Sequence, residues 1–364
     1  MASVSFTTCF NAVDRWTNLI MFQADYPLQE APNGQARNRI CRIGLAVTMV
    51  ALTILSASCK GLVTDTDYTI PKLLTPLAKA NFEDLTKQLQ PFTDLKTFRT
   101  QRASMLLTDA TASEKFRFEL DLALFLERPD KIRMFIQKSS FGTKIADMVS
   151  ESNQFKVAVL YPADYRAFLI GTNDADYTDL LANFKGKEKD SAIALARPFH
   201  FTEALMMRPL LLNDPRFVFE THEELVEEQD ARPGAKKGAR LLRSFYVVSE
   251  IEVSLEGHTP SRVRRKFWFD RGNGARFARQ QIFDQQGQLV TEVLYSDYKT
   301  LIPNDANMWP SVILVNRHHE GYSARLTFNE EKFEINPLLK SGIFTLDNTE
   351  NLKVTDLDNP EKKP

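Results

Sequence analysis

Residues 116–136 read FRFELDLALFLERPDKIRMFI, and this stretch decides the fold class. Its first seven residues alternate between apolar and charged side chains, which is the period of a strand with one buried face. The next residues are apolar on both sides, so the strand should be buried more deeply towards its end. Arg128-Pro129-Asp130 predicts a turn, because proline presets the turn dihedral and cannot donate to a ladder. Since residues 132–136 alternate again, the stretch predicts an antiparallel hairpin.

The same period of two recurs on both sides of this hairpin. It begins at Leu95 and returns in further segments, at residues 155–160, 165–170, 217–219, 245–253, 264–269, 275–283, 289–298, 312–315 and 324–328. Helical spacing is found at residues 73–89, 176–184 and 198–211. Short loops with glycine separate the last strands, which is typical of antiparallel neighbours. The pattern predicts an α+β fold with a large antiparallel sheet of about ten strands.

Residues 43–55 form an apolar run that follows three arginines and ends in Ser56-Ala57-Ser58. This order of positive, apolar and small residues is typical of a secretory signal. The run has thirteen residues, whereas crossing a bilayer takes about twenty, so a membrane-spanning anchor is the weaker interpretation. The first 36 residues are too long for the positive part of a signal, and we expect the natural start codon to lie after them.

Cys59 follows the small residues directly, and it resembles the lipobox cysteine of bacterial lipoproteins, on which a diacylglyceryl thioether forms before cleavage. The match is loose, because Ser56 stands where that motif usually has leucine. The alternative is an ordinary cleaved signal followed by a free cysteine. The resemblance implies a lipid anchor on Cys59. Since Lys60 and not aspartate comes next, it also implies an outer-membrane destination facing the periplasm.

These features divide the chain into four predicted parts. They are a signal with an over-extended N-terminus at residues 1–58, a lipidated tether at 59–70, one folded domain at 71–355 and a flexible polar tail at 356–364. No cysteine follows Cys59, so the exported domain must be held by burial without a disulfide.

The charge balance argues against nucleic acid as a partner. Residues 1–58 carry four of the 46 basic and three of the 47 acidic residues, which leaves 42 basic and 44 acidic residues in the rest. Without a basic excess the chain lacks the electrostatic attraction that binds phosphate backbones. A basic cluster at Lys236-Lys237 is expected at a solvated hairpin tip, with contact to membrane headgroups as the alternative.

The usual motifs of enzymatic chemistry do not occur in the sequence. The chain has five histidines, at positions 200, 222, 258, 318 and 319. They do not form the His-Glu-x-x-His pattern of a zinc protease, and no Gly-x-Ser-x-Gly elbow or phosphate-binding loop is present. We therefore expect a protein that is not an enzyme and that has no metal or cofactor. A polar cluster such as His200 with Glu203 would be needed for the opposite hypothesis.

Apolar side chains are abundant enough to suggest a ligand cavity. The chain has 26 phenylalanines. If helices cover the apolar face of the sheet loosely, the space beneath them would accept acyl chains, with about 0.8 kcal/mol contributed by each buried methylene. The alternative is that the side chains fill the core themselves. The residues expected at such a cavity are Phe116, Phe118, Leu120, Leu122, Leu124, Ile132, Met134, Phe201, Leu205 and Met206.

Several short stretches, taken in order, resemble the lipoprotein-carrier superfamily of LolA, LolB and mycobacterial LppX. They are LERPDKIR at 126–133, RPFHFTEALM at 197–206, WFD at 268–270, QQIFDQQG at 280–287, YSDY at 295–298 and LTF at 326–328. The resemblance implies a curved, half-open antiparallel β-barrel whose mouth is plugged by helices. It also implies binding of lipid, or of lipoprotein acyl chains such as palmitate, without covalent chemistry. Members of the superfamily hold a buried arginine that bonds to the helical lid, and candidates here are Arg117, Arg133 and Arg166.

The leading hypothesis is an envelope lipoprotein, anchored through Cys59, that binds acyl chains and transfers them to the outer membrane. The second hypothesis is an anchored scaffold or assembly factor with a filled core and an envelope protein as its partner. A cavity large enough for an alkyl chain would separate the two.

Overall fold

The structure is a computed structural model, and it describes residues 72–359 except 110–115, 139–141, 162, 164–165, 174, 176, 178–196, 231–233, 237, 255–259 and 303–307. The predicted signal, Cys59 and most of the helix predicted at 176–184 lie outside the described residues. Within them are three short helices, α1 (Phe82–Lys87), α2 (Gln90–Thr93) and α3 (Phe199–Leu205).

The described part of the chain is mostly strand. The sixteen strands are β1 (Lys72–Leu73), β2 (Thr97–Asp109), β3 (Phe116–Glu127), β4 (Lys131–Lys138), β5 (Thr143–Glu151), β6 (Gln154–Val159), β7 (Ala167–Thr172), β8 (Phe217–Gln229), β9 (Arg240–Glu252), β10 (Arg262–Asp270), β11 (Arg276–Phe283), β12 (Leu289–Lys299), β13 (Trp309–Arg317), β14 (Tyr322–Phe328), β15 (Phe333–Ile335) and β16 (Val354–Asp356).

All sixteen strands belong to one open sheet. From β8 the order runs through β9 to β14, passes to β2, runs on to β7 and ends at β16, while β1 and β15 pair with β9 and β2. Neighbours are antiparallel, except that β1 on β9 and β16 on β7 are parallel. The predicted hairpin is confirmed, since Leu126 lies opposite Ile132 and Leu122 opposite Ile136.

The sheet curves around α3. This helix contacts both β4 and β13, which are four positions apart in the sheet order. Four strand spacings span about 19 Å in a flat sheet, whereas a helix with its side chains is only about 10 Å wide. The residues just after α3 give stronger evidence, since the Met207 carbonyl accepts from Arg128 beside β3 and the Arg208 carbonyl accepts from Arg265 on β10. These strands are six positions apart in the sheet order. The sheet must bend to bring both to one segment, so the face that α3 contacts is concave.

The prediction of about ten strands was wrong in number, for a reason visible in β5. Met148 points into the main core, while its neighbour Val149 belongs to a second cluster on the opposite face. That cluster is completed by Leu346 and Leu352 of a C-terminal segment that crosses the outer face. Because both faces of β5 are covered, the alternation that identifies a half-buried strand is lost.

The helices are shorter than predicted. The stripe at residues 73–89 becomes a helix only from Phe82, where Asn81 forms a capping box: its side chain accepts from the Asp84 amide at 2.9 Å, and its own amide donates to Asp84. Before that, Leu73 lies in β1, and Pro76 has no N–H for a helix. The segment at 198–211 is helical only to Leu205, shortly before Pro209.

The first residues of the segment predicted as a flexible tail, at 356–364, are paired with the sheet. Asp356 ends β16, and the Leu357 amide donates to the Ile170 carbonyl at 2.9 Å, with the Leu357 side chain buried. Leu357 is an apolar residue inside a polar stretch, and a prediction from the composition of the whole stretch overlooks it.

Candidate functional site

The main hydrophobic core lies between the concave face of the sheet and two covering segments. We call these segments, residues 78–95 and 199–209, the cover. Phe92 in α2 packs against three aromatic rings of the sheet, at centroid distances of 5.3 to 5.6 Å. In the second segment the Ala204 carbonyl accepts a hydrogen bond of 2.9 Å from the Tyr295 hydroxyl. The cover thus closes the apolar face of an open sheet.

Eight of the ten residues predicted at a lipid cavity lie in this core, each at most 6% exposed. They are Leu120, Leu122, Leu124, Ile132, Met134, Phe201, Leu205 and Met206. In this arrangement the side chains fill the interior at these positions, which is the alternative that composition left open. Phe116 and Phe118 lie in β3, but their side chains are outside what the structure describes. Contact of these residues with an acyl chain stays a prediction.

Arg128, in the turn between β3 and β4, joins the two halves of the cover. Its guanidinium donates to the Phe92 carbonyl at 2.9 Å and to the Met207 carbonyl at 2.8 Å, and it also donates to the Leu95 carbonyl. Burial lowers the pKa of Arg128, while Glu203 and Asp94 act in the opposite direction. A charged side chain at the sheet end therefore holds three backbone groups of the cover.

Arg265 on β10 holds the end of the second covering segment. It donates to the Arg208 carbonyl at 2.8 Å and to the Pro209 carbonyl at 3.3 Å. The same guanidinium forms a two-pronged ion pair with Glu250 on β9, at 3.2 and 2.5 Å. Both charged side chains are only 7% exposed. Four donor contacts from one buried arginine offset much of the cost of removing its charge from water.

Two further arginines also donate hydrogen bonds to backbone carbonyls. Arg271 donates to the Ala78 carbonyl at 3.2 Å, at the start of the cover. Arg197, directly before α3, donates to the Asn173 and Ala175 carbonyls at 2.7 Å each. Each end of the cover is thus attached to its surroundings through guanidinium groups bonded to backbone carbonyls.

Of the three arginines proposed from the family resemblance, the two whose side chains the structure describes, Arg133 and Arg166, are bonded elsewhere than to the cover. Arg133 instead donates to the Ile343 and Thr345 carbonyls of the C-terminal segment, on the outer face, and pairs with Asp147 at 2.7 Å. Arg166 pairs with Glu350 at 3.0 Å on the surface. The side chain of Arg117 lies outside the described residues. Arg128 was missed because its Arg-Pro-Asp context indicated only a turn.

A buried polar cluster fixes α3 to the turn between β13 and β14. His200 Nδ1 is 2.5 Å from the Tyr322 hydroxyl, and Nε2 is 3.8 Å from Glu320. Glu320 is also bonded by Arg197 and Arg317. Burial, and then the charges of Arg317 and Arg197, lowers the pKa of His200 well below its usual range. The imidazole is therefore neutral in the closed arrangement.

The pairing of His200 with Glu203, considered as a reactive cluster, is not what the structure shows. Glu203 is bonded to Arg208 instead. Among the residues that the structure describes, no group of three or more His, Cys, Asp or Glu side chains is placed to hold a metal ion. The same residues include no helix with the length and apolar character needed to cross a bilayer.

A cavity of about 240 Å³ adjoins the cover at the end of α3. Its apolar lining comes from Pro209, Leu211, Phe217 and Ile282, and the Arg265–Glu250 pair forms part of its wall. It lies beside the predicted residues and is not lined by any of them. The cavity therefore extends the covered apolar face towards solvent.

Comparison with known proteins gives matches among solved structures. No protein-family model matches the chain, and no curated protein matches it. Among solved structures, the chain is similar to a LolA superfamily protein from Nitrosomonas europaea, at 9% identity and a TM-score of 0.37, with 74% of this chain and 99% of that chain covered.

Two more solved structures are similar at the same level. A DUF1329 family protein from Desulfovibrio piger has 13% identity and a TM-score of 0.38, covering 72% of this chain and 95% of its own. A domain described as an outer membrane lipoprotein-sorting protein, from Vibrio parahaemolyticus, has 12% identity and a TM-score of 0.38, covering 72% and 97%. One of these three solved structures is described by the name of the superfamily that the sequence resembles.

Proposed function

We propose that this protein is a non-enzymatic carrier that binds acyl chains of a lipid or a lipoprotein on its concave face, after the cover moves aside. The observation that carries the proposal is the way in which the cover is held. Its helices have six, four and seven residues, which is too short for stable helices in water. They are kept in place by packing on the sheet and by arginine bonds at their ends.

The energies involved are compatible with such an exchange. Breaking one arginine–carbonyl hydrogen bond costs about 1.5–3 kcal/mol at most. Burying about twelve methylenes of an acyl chain contributes roughly 10 kcal/mol. An acyl chain that inserts between the sheet and the cover, so that the apolar side of the cover stays buried against the chain, would therefore offset the loss of several attachments. The 240 Å³ cavity supports a starting point for this exchange, because residues of the cover and of the sheet line it together.

Mass spectrometry of lipid that co-purifies with the protein tests the proposal. The chain should be purified as a Cys59→Ala variant, so that a covalently attached lipid is not mistaken for a ligand. We expect acyl lipid to co-purify with the protein in a defined molar ratio. Protein free of lipid that also fails to take up a fluorescent fatty acid would contradict the proposal.

The filled interior favours a second candidate function, an envelope scaffold or assembly factor that uses an external surface. It differs from the carrier in one measurable respect, because a scaffold keeps its cover closed. Bound acyl chains would exclude it, and a stable protein partner without bound lipid would support it.

Anchoring through Cys59 and a position at the outer membrane, facing the periplasm, belong to the same proposal. They rest on the lipobox-like sequence and on Lys60. Metabolic labelling with palmitate, compared between the natural chain and Cys59→Ala, tests the anchor directly.

A further inference from the structure

The loop between α3 and β8 exposes two neighbouring leucines. Leu211 is 48% exposed and Leu212 is 52% exposed. Other large apolar side chains that are exposed in the described part of the chain stand singly along the sequence, for example Leu225 and Leu338. Single exposed leucines are ordinary, but an adjacent pair at the tip of a loop needs an explanation.

The loop is held in a defined shape. The Asp214 amide donates to the Leu211 carbonyl at 3.1 Å, and the Phe217 amide donates to the Asp214 carbonyl at 3.0 Å. Arg216 bonds the Asp214 carboxylate through its side chain and its amide, which lowers the pKa of Asp214 to about 2. The Val253 amide fixes the Arg216 carbonyl at 2.8 Å. The leucines are therefore presented by an ordered turn and are not exposed by fraying.

Cationic side chains flank the leucines. Arg208 and Arg216 lie on either side of them in the sequence, with side chains 58% and 59% exposed. The nearby carboxylates of Glu203 and Asp214 are each already bonded to one of these arginines. The loop therefore presents an apolar tip between two exposed guanidinium groups and carries no unpaired carboxylate at that tip.

The loop is continuous with the cavity at the end of the cover. Leu211 and Arg208 line that 240 Å³ cavity together with Phe217 and Ile282. Leu211 thus connects the exposed leucine pair with the cavity at the end of the cover.

We propose that this loop docks onto the surface of a lipid bilayer, with Leu211 and Leu212 inserted among the acyl chains and Arg208 and Arg216 at the phosphates. The proposal rests on the proposed carrier function and names the surface with which the carrier exchanges its chain. An apolar tip with flanking cations fits the boundary between headgroups and acyl chains. A chain leaving the bilayer at this point would meet the cavity without crossing water.

A local probe separates loop insertion from any other membrane contact of the full chain. The three cysteines, Cys9, Cys41 and Cys59, are replaced by alanine, and a single cysteine is introduced as Leu212→Cys and labelled with an environment-sensitive dye. The control carries the same dye at Leu338→Cys, on a segment far along the chain, where the natural leucine is 95% exposed.

With vesicles of phosphatidylcholine and phosphatidylglycerol, we expect a blue shift of the dye at position 212 and none at position 338. Adding Leu211→Ser should weaken the response at 212 about fivefold, the loss expected for one partly buried leucine. Arg208→Gln with Arg216→Gln should reduce the preference for phosphatidylglycerol over pure phosphatidylcholine.

An unchanged dye at position 212, in protein that co-sediments with the vesicles, would overturn the proposal. So would a blue shift without vesicles that grows with protein concentration, because the leucines would then meet a second copy of the chain. Fatty-acid binding in the absence of vesicles is measured in parallel. Its persistence in a Leu212→Ser variant, at a position outside the cavity lining, together with weaker co-sedimentation with the vesicles, supports docking. Its absence from the natural chain contradicts the carrier function alone.

Discussion

Arginine side chains hold the cover at four separate places in this protein. Arg128, Arg265 and Arg271 each donate to backbone carbonyls of the cover. Arg197, two residues before α3, donates to the Asn173 and Ala175 carbonyls and so fixes the start of the second covering segment. A guanidinium is suited to this task, because its planar fork reaches several acceptors at once and stays charged. Polar attachments of this kind can break and form again without a change in the apolar surfaces beneath them.

Replacing Arg128 should loosen the cover specifically. In Arg128→Gln the carbonyls of Phe92, Leu95 and Met207 lose their donor, and we expect a loss of about 2 kcal/mol in the free energy of unfolding. Amide hydrogen exchange should accelerate in residues 82–95 and 199–207.

The matched control is Arg133→Gln, which removes two carbonyl bonds on the outer face. Its hydrogen exchange should change in residues 336–353 and not in the cover. Equal protection of the cover in Arg128→Gln and the natural chain would show that packing alone holds it.

Neutral His200 should make the closed state sensitive to acid. Its pKa in the closed state lies well below 6.5, whereas an exposed histidine titrates near 6.5. Below about pH 6.5 the opened or unfolded state therefore binds a proton that the closed state does not. Below this pH the free energy of unfolding should fall with decreasing pH, by at most about 1.4 kcal/mol per pH unit. Above it, His200 should not change the free energy of unfolding.

Urea unfolding of the natural chain and of His200→Gln between pH 7.5 and 5.5 measures this effect. The groups that face His200 are Tyr322, Glu320, Arg317 and Arg197, and they remain in the variant. The change of the unfolding free energy with pH should be smaller in His200→Gln than in the natural chain. In the control His222→Gln, which replaces an exposed histidine, it should be as large as in the natural chain. Identical slopes in all three proteins would refute the assignment.

At the scale of single elements, alternation identified the strands that have one solvated face. Strand β14 is the clearest case, because Ser323, Arg325 and Thr327 alternate with its core residues. Strand β5 escaped detection because residues more than 180 positions later cover its outer face. Helix lengths were overestimated because an apolar stripe with period 3.6 does not show where a proline or a capping residue limits it. The arginines of the cover could not be assigned, since their acceptors are backbone groups without a sequence signature.

Helix α1 depends on its capping box. We expect Asn81→Ala to lower the free energy of unfolding by about 1 kcal/mol, because the first turn loses a side-chain acceptor. If the cover opens as a unit, the same variant should also take up a fluorescent fatty acid faster.

Asn329→Ala is a suitable comparison in urea unfolding and stopped-flow uptake. Asn329 accepts from the Glu331 amide at 3.2 Å in a turn far along the chain from the cover. Uptake should be unchanged in that variant. Equal uptake rates for both variants would mean that α1 does not limit access.

At the scale of the whole molecule, the sheet is large, curved and open, and its concave face is closed by two short segments, residues 78–95 and 199–209. A protein of this size could bury the same apolar surface with longer helices. The short cover, its polar attachments and the cavity at its end together favour a core that can be opened over one that serves stability alone. The outer face has its own small cluster under the C-terminal segment, so strands β4 to β7 stay supported when the cover moves.

Photo-crosslinking with a diazirine-bearing fatty acid tests the central claim most directly. After irradiation and digestion, the labelled residues are located by mass spectrometry, with unlabelled fatty acid as competitor. The carrier account predicts competed labelling on the concave face and the inner side of the cover, in peptides that contain Leu122, Met134 or Phe201. Labelling confined to the outer face, or labelling that unlabelled fatty acid does not reduce, would contradict it.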